Sequence, residues 1–316
     1  MAEFYLDFEK PIIELEKRID GLKGLSGVEE EIARLQKQVE RLREKVYSKL
    51  TRWQIVQLAR HPRRPYILDL APLIFTDFTE LHGDRRYSDD AAIVTGIARF
   101  RGRSVVVVGH QKGHETKEKI KRNFGMTNPE GCRKALRFYK LAERFGMPVI
   151  NFVDIMGAYP GVGAEERGIS EAIATNLEVL AVLKVPVIVV ITGEGGSGGA
   201  LAIAVGNRIY MMEYSYYSVI TPEGCASILW RDSSKASQAA EALQFTSRDN
   251  LAHGVIDGVI PEPPGGAHRD WDLAAKLIGN QIASALKELE PLSEDELITQ
   301  RIEKFRKMGK FKVVSS

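Results

Sequence analysis

The sequence predicts an α/β protein with a parallel sheet, and three observations lead there. Residues 148–155 and 186–192 are continuous apolar runs, each opened by a proline. Each is followed at once by a glycine-rich turn, MGAYPGVGAEERG and GEGGSGG, and then by a helix-forming stretch. Strands apolar on both faces that return through helices lie parallel in a sheet covered on both sides. The turns then stand at the carboxyl ends of the strands, where such sheets bind ligands.

The elements follow in chain order. In residues 1–60, Ile12, Leu15, Ile19 and Leu22 step by three and four, as do Ile32, Leu35, Val39, Leu42 and Val46. With Gly21, Gly24 and Gly27 as breakers between them, these read as an N-terminal helical hairpin. The texture changes after His61-Pro62. Residues 92–100 and 104–109 are β-rich and joined through Arg101-Gly102-Arg103, a hairpin. A helix over 129–145 closes on Gly146 and Pro148. The two strand, turn and helix units come next, with helices over 170–184 and 200–206. Strands over 208–212 and 217–220 follow, then helices over 222–230 and 233–245. The strand-like GVIDGVI, a helix over 271–289 and a charged tail beyond Leu292 complete the chain.

Composition bounds the function. Of 316 residues, 44% are hydrophobic and 27% charged, the mixture of a globular chain with a large core. The 44 basic and 42 acidic residues leave a formal charge of +2, so no electrostatic footprint for nucleic acid is present. Cys132 and Cys225 stand apart without ligand spacing, which suggests neither a disulfide framework nor a metal site. The opening MAEFYLDFEK lacks a signal-peptide pattern, and the longest apolar run, 185–191, is too short to span a bilayer. A cytoplasmic protein without membrane contact is expected.

The turn at 193–199 fits several templates. Gly193, Gly195 and Gly198 match G-x-G-x-x-G after a strand, with Glu213 downstream, but the helix that follows is too short for a dinucleotide crossover. The same turn matches G-x-S-x-G with Ser197 as nucleophile and His253 or His268 as base, a pattern that any chain of this size supplies by chance. The glycines could also serve tight strand-to-helix packing alone. The fourth reading needs no side chain. Uncapped amides at a helix start, led by Gly198 and Gly199, would hold an oxyanion, with a second set at Gly161, Val162 and Gly163 of the first turn.

The stretches LDFEKPI, WQIVQLARHPRRPY, GHQKG with TKEKIKRNFGM, GAYPGVGAEERG, GEGGSGGALAI, YSVITPEGCASILW and IPEPPGGAH occur in one order along nearly the whole chain. Together they resemble the α-subunit family of bacterial acetyl-coenzyme A carboxylase carboxyltransferases. That resemblance implies a crotonase-like (ClpP/crotonase) spiral of repeated ββα units, with residues 61–290 as the carboxyltransferase domain between the N-terminal helical region and a C-terminal helical tail, 291–316. It implies transfer of the carboxyl group from carboxybiotin to acetyl-CoA, giving malonyl-CoA for fatty acid biosynthesis. Biotin would arrive on a separate biotin carboxyl carrier protein, charged by biotin carboxylase. The chain would work only with a β subunit, in an α2β2 heterotetramer, and the β subunit would supply the thioester oxyanion hole. The consecutive glycines Gly198 and Gly199 fall where the family's α-subunit oxyanion hole is looked for, facing the biotin ureido oxygen.

No obligatory side-chain base is implied, and the residues offer none. Two departures stand out: Asp154-Ile155-Met156-Gly157 replaces a common Asp-Thr-Pro-Gly, and His114 stands where arginine is common. Lys112, His114 and Lys117, in a basic cluster with His110, Lys119, Lys121 and Arg122, are candidates for coenzyme A phosphates or for a partner, against the alternative of a solvated basic helix face. His61 and His268 read as structural. A self-sufficient crotonase-like hydratase or thioester hydrolase, and a scaffolding protein, are the competing functions.

Overall fold

A two-residue loop shows how directly the chain chemistry is realised. Strands β2 (Ile93–Phe100) and β3 (Arg103–His110) pair antiparallel with Phe100 opposite Arg103. The loop residues Arg101 and Gly102 have φ of 48° and 86°, the double left-handed turn whose twist matches the strands it joins. The computed structural model describes residues 4–309. The sheet also holds β1 (Thr76–Glu80), β4 (Val149–Ile155), β5 (Val187–Gly196), β6 (Arg208–Met212), β7 (Tyr216–Ser218) and β8 (Gly258–Ile260). Its order is β1-β2-β3-β4-β5-β6-β8, with β7 pairing β5. The pairings through β1, β2 and β3 are antiparallel, and those from β3 onward are parallel.

Fourteen helices are described: α1 (Lys10–Leu22), α2 (Glu29–Tyr47), α3 (Arg52–Ala59), α4 (Ile67–Ile74), α5 (Thr116–Lys121), α6 (Pro129–Phe145), α7 (Val162–Glu166), α8 (Ile169–Val182), α9 (Ser197–Ala204), α10 (Pro222–Trp230), α11 (Ala236–Leu243), α12 (Ser247–Ala252), α13 (Trp271–Leu289) and α14 (Glu294–Lys307). The central strands are buried on both faces, and their residues alternate between two cores, as the two-residue strand period requires. Val106, Val149, Val189 and Ile191 face a core with α6, α8 and α9. Val107, Ile150, Phe152 and Val190 face the other, with α4 and α13. Helices α1 and α2 share their own apolar seam through Ile12, Ile19, Leu35 and Val39, which also takes Leu58 and Tyr214.

The strand-turn-helix expectation needs one correction at its centre. The glycine run at 193–199 is not a turn from its first residue: β5 continues to Gly196, and the helix begins at Ser197, not at 200. The reason is a second partner. β5 pairs β6 as far as Ile191, and Glu194, Gly195 and Gly196 then pair Tyr216, Tyr217 and Ser218 of β7. An open sheet edge supplied by later residues keeps the glycines extended. The tail beyond Leu292 forms α14, capped by Ser293 and Glu296; its last residues, 310–316, lie outside the described residues.

Candidate functional site

Strands β4 and β5 deliver the two glycine turns side by side. Val153 pairs Ile191, but Ile155 pairs Gly195, so β5 carries a bulge where the register slips. Beyond it the backbones come close. A Cβ on Gly196 would lie 2.0 Å from the Met156 carbonyl oxygen, and one on Gly199 would lie 2.5 Å from the Ala158 nitrogen. Only glycine permits this contact. Between them Ser197 has φ of 53°, a left-handed conformation that costs a non-glycine residue about 1–2 kcal/mol.

Helix α9 then opens with its N-terminal amides uncapped: Gly196 occupies the cap position and makes no side-chain capping bond. The first three amides of a helix, here those of Ser197, Gly198 and Gly199, have no partner within it and stand at its positive end. Gly198 is half-buried and Gly199 buried. Ser197 and Gly198 form part of the wall of a cavity of about 370 Å³ that is otherwise mostly apolar: Leu201, Tyr217, Val219, Val255, Phe305 and Met308, with Ser218 and Asn250 as its polar members. Among the described residues, no His, Asp, Glu, Lys or Arg lines it.

The first turn meets the second at Gly157 and Ala158 rather than at Gly161, Val162 and Gly163. Those three open the short helix α7, and Val162 is 75% exposed. Lys112, His114 and Lys117 are likewise set in different surroundings. Lys112 lies 2.5 Å from Asp154 Oδ1 and 2.7 Å from Glu194 Oε1. The Nε2 of His114 lies 2.8 Å from Asp69 Oδ2, its Nδ1 lies 2.9 Å from the Pro62 carbonyl, and its ring stacks on Trp271. The Asp69 contact raises its pKa above the ordinary imidazole value. Lys117 is exposed on α5. Lys119, not Lys117, shares with Lys112 a second cavity of about 490 Å³, lined also by Arg60, Tyr66, Phe124, Met156, Glu194, Thr221 and Glu223.

Sequence reasoning missed the charged network under the turns. Glu194 accepts from Arg60 Nε at 2.8 Å and from the Tyr216 hydroxyl, and Arg60 also holds Glu223. The Glu194 N–H donates to Asp154 Oδ1 at 3.0 Å. Burial works against the Glu194 anion, but Lys112 and Arg60 outweigh it and hold its pKa at about 2. Burial instead raises Asp154, the second carboxylate on the same lysine. The signal was present in the sequence: two acids set at the ends of otherwise apolar strands need buried partners.

His61 and His268 meet Glu9. The two imidazoles stack with centroids 3.9 Å apart, and His268 Nε2 lies 3.3 Å from Glu9 Oε1, which also accepts from Tyr47. The donor atoms of these three residues lie within 4.8 Å of one another. Stacked rings direct their in-plane lone pairs side by side rather than at one point. A further cavity of about 560 Å³, between α2 and the body, is bordered by Arg43, Tyr47, Glu213 and Glu262.

The architecture has solved counterparts. It is similar to transcarboxylase 12S, solved with methylmalonyl-coenzyme A and methylmalonic acid bound, with a TM-score of 0.59 and 22% identity over 74% of this chain and 44% of that one. It is also similar to the β subunit of Pseudomonas aeruginosa geranyl-CoA carboxylase, with a TM-score of 0.56 and 17% identity over 78% of this chain and 46% of that one. This chain spans less than half of either. The fold is therefore that of the crotonase-like carboxyltransferases. Full-length relatives stand much nearer. Proteins named acetyl-coenzyme A carboxylase carboxyl transferase subunit alpha are 57% identical in Azoarcus sp. (strain BH72), over 100% of both chains, and 58% identical in Geobacter sulfurreducens, over 98% of both. The family described as acetyl co-enzyme A carboxylase carboxyltransferase-like matches residues 5–309, and this chain belongs to it.

Proposed function

We propose that the chain is the α subunit of a biotin-dependent carboxyltransferase that moves the carboxyl group of carboxybiotin to acetyl-CoA, with the amides of Gly198 and Gly199 as its oxyanion hole. One observation carries the site: the uncapped start of α9, pressed against Gly157 and Ala158, beside an apolar cavity. The cavity suits a neutral bicyclic ring, and bare amides suit a ureido oxygen. When bound, carboxybiotin supplies the carboxyl group and leaves behind a ureido nitrogen that serves as base. The chain's own part is electrostatic. Two amides donate to the oxygen on which charge accumulates, the helix dipole adds to them, and Leu201, Tyr217 and Phe305 give that side an apolar wall. One such donor is typically worth roughly 3 kcal/mol of barrier.

This reading assigns the rest to partners: a β subunit bearing the thioester oxyanion hole, in an α2β2 assembly, and a biotin carboxyl carrier protein serviced by biotin carboxylase. The place of action is the cytoplasm; among the described residues no helix is long and apolar enough to cross a membrane. Residues 61–290 form the carboxyltransferase domain in this scheme, with helical appendages on either side.

Mixing the purified chain with its β partner, malonyl-CoA and free biotin tests the proposal. Biotin carboxylation should arise in the mixture and from neither subunit alone. Hydration or hydrolysis of a CoA thioester by this chain alone would overturn it.

A further inference from the structure

We propose that Glu194 is a positioning residue for the Gly198 and Gly199 amides, acting through the ion-pair network that clamps the carboxyl ends of β4 and β5. The inference rests on the functional reading above and says how the amides come to be placed. Glu194 sits in the stretch of β5 that has left β6 and re-paired with β7, four residues before Gly198. Its main-chain N–H donates to Asp154 at the end of β4, while its carboxylate accepts from Lys112, Arg60 and Tyr216. Lys112 bridges Asp154 and Glu194, so one ammonium joins both strand ends.

Those ends determine where the turns meet. Gly196 and Gly199 touch the backbone of residues 155–158 with no free space, so a shift of β5 against β4 moves the amides with it. Stability alone does not call for this network. A buried ion-pair cluster is commonly matched or bettered by apolar residues of the same volume, whereas its geometry specifies one arrangement of the strands that carry it. Arg60 extends the clamp to the residue just past α3, and Glu223 to α10. Misplacing a catalytic donor by about 1 Å costs on the order of 100-fold in rate.

The experiment is biotin carboxylation from malonyl-CoA by the reconstituted complex carrying Glu194→Gln, Glu194→Asp or Tyr216→Phe. Glu194→Gln keeps the shape but leaves Lys112 and Arg60 short of an anion. It should lower kcat by roughly 10- to 100-fold while the KM for malonyl-CoA stays within about twofold. Glu194→Asp, which keeps the charge, should recover part of the loss, and Tyr216→Phe should lower kcat by a few-fold with KM unchanged. A purely structural role would instead lower the melting temperature and the assembled fraction in proportion to activity, and that result overturns the inference. So does a Glu194→Gln complex with kcat within twofold of wild type. If Glu194→Gln does not assemble, Tyr216→Phe decides: reduced kcat at constant KM supports the inference, and unchanged kcat overturns it. A wild-type complex that does not carboxylate biotin defeats the functional reading and this inference together.

Discussion

A methyl group on Gly199 would lie 2.5 Å from the Ala158 nitrogen and 2.9 Å from the Gly157 carbonyl carbon, whereas one on Gly198 would meet only the Ile173 Cδ1, at 3.4 Å. The two glycines of the pair are therefore not equivalent. Gly199→Val should abolish carboxyl transfer because the first turn must move to admit the side chain, and Gly198→Ala should leave the protein's melting temperature nearly unchanged. A steady-state assay and a thermal melt on each variant separate the two outcomes; an active Gly199→Val complex refutes the oxyanion-hole assignment. Ser197 is the neighbouring test. Its left-handed φ of 53° is the strained elbow that a nucleophilic serine would use, yet among the described residues lining its cavity there is no His, Asp, Glu, Lys or Arg. Ser197→Ala should retain most of the activity, and a loss of several orders of magnitude would revive the hydrolase chemistry.

Among the elements, α14 is held to the body by Leu297 in the core, by Lys304 on Asp257 and, most deeply, by Arg301. Arg301 is fully buried and donates to the carbonyls of Leu180, Leu183 and Val185 and to Asn207 Oδ1. The guanidinium thus satisfies orphan carbonyls at the C-terminal end of α8, where a cation also suits the helix dipole. Burial lowers its pKa to about 10, still far above neutrality. Arg301→Met should destabilise the fold by roughly 2–5 kcal/mol, because several buried acceptors lose their donor. Urea unfolding would measure it, and a change below about 0.5 kcal/mol would contradict the capping role. Since Phe305 and Met308, just beyond, line the cavity beside Gly198, the same variant should also loosen that wall.

Across the whole molecule, acid should act in one direction through the buried imidazoles. Burial is the first cause that lowers the pKa of His61 and of His110 to about 3, with the neighbouring His268 ring adding to it at His61 and the Lys112 ammonium at His110. In the unfolded chain imidazole titrates near 6.5, so between pH 6.5 and 3 the unfolded state binds protons that the folded state refuses. Stability therefore falls as pH falls through that window, by on the order of 1–2 kcal/mol per imidazole at pH 5. The Asp69–His114 contact has the opposite sign: its contribution is complete below pH 6.5 and is lost as pH rises through the raised pKa. Chemical unfolding from pH 7.5 to 5 should show declining stability, and His110→Gln should flatten the decline; an unchanged slope would contradict the buried-imidazole account.

Much of this architecture was legible in residue order. Periodicity and punctuation located β6, α6, α10 and α13, and the two apolar runs announced parallel strands with glycine turns at their ends. These are local matters: side-chain period, caps and breakers act within a few residues. The sequence by itself also determined the family, through motifs spread over nearly the whole chain. Only the tertiary structure decided that the glycines at 193–196 remain in a strand, because that depends on β7 arriving from twenty residues downstream to pair with them. Likewise it decided that Lys112 is bound by two buried carboxylates, that Gly199 rather than Gly198 touches the first turn, and that the contact there is with Gly157 and Ala158. Each is a meeting between segments far apart in the chain, settled by close packing and by the need to pair buried charge.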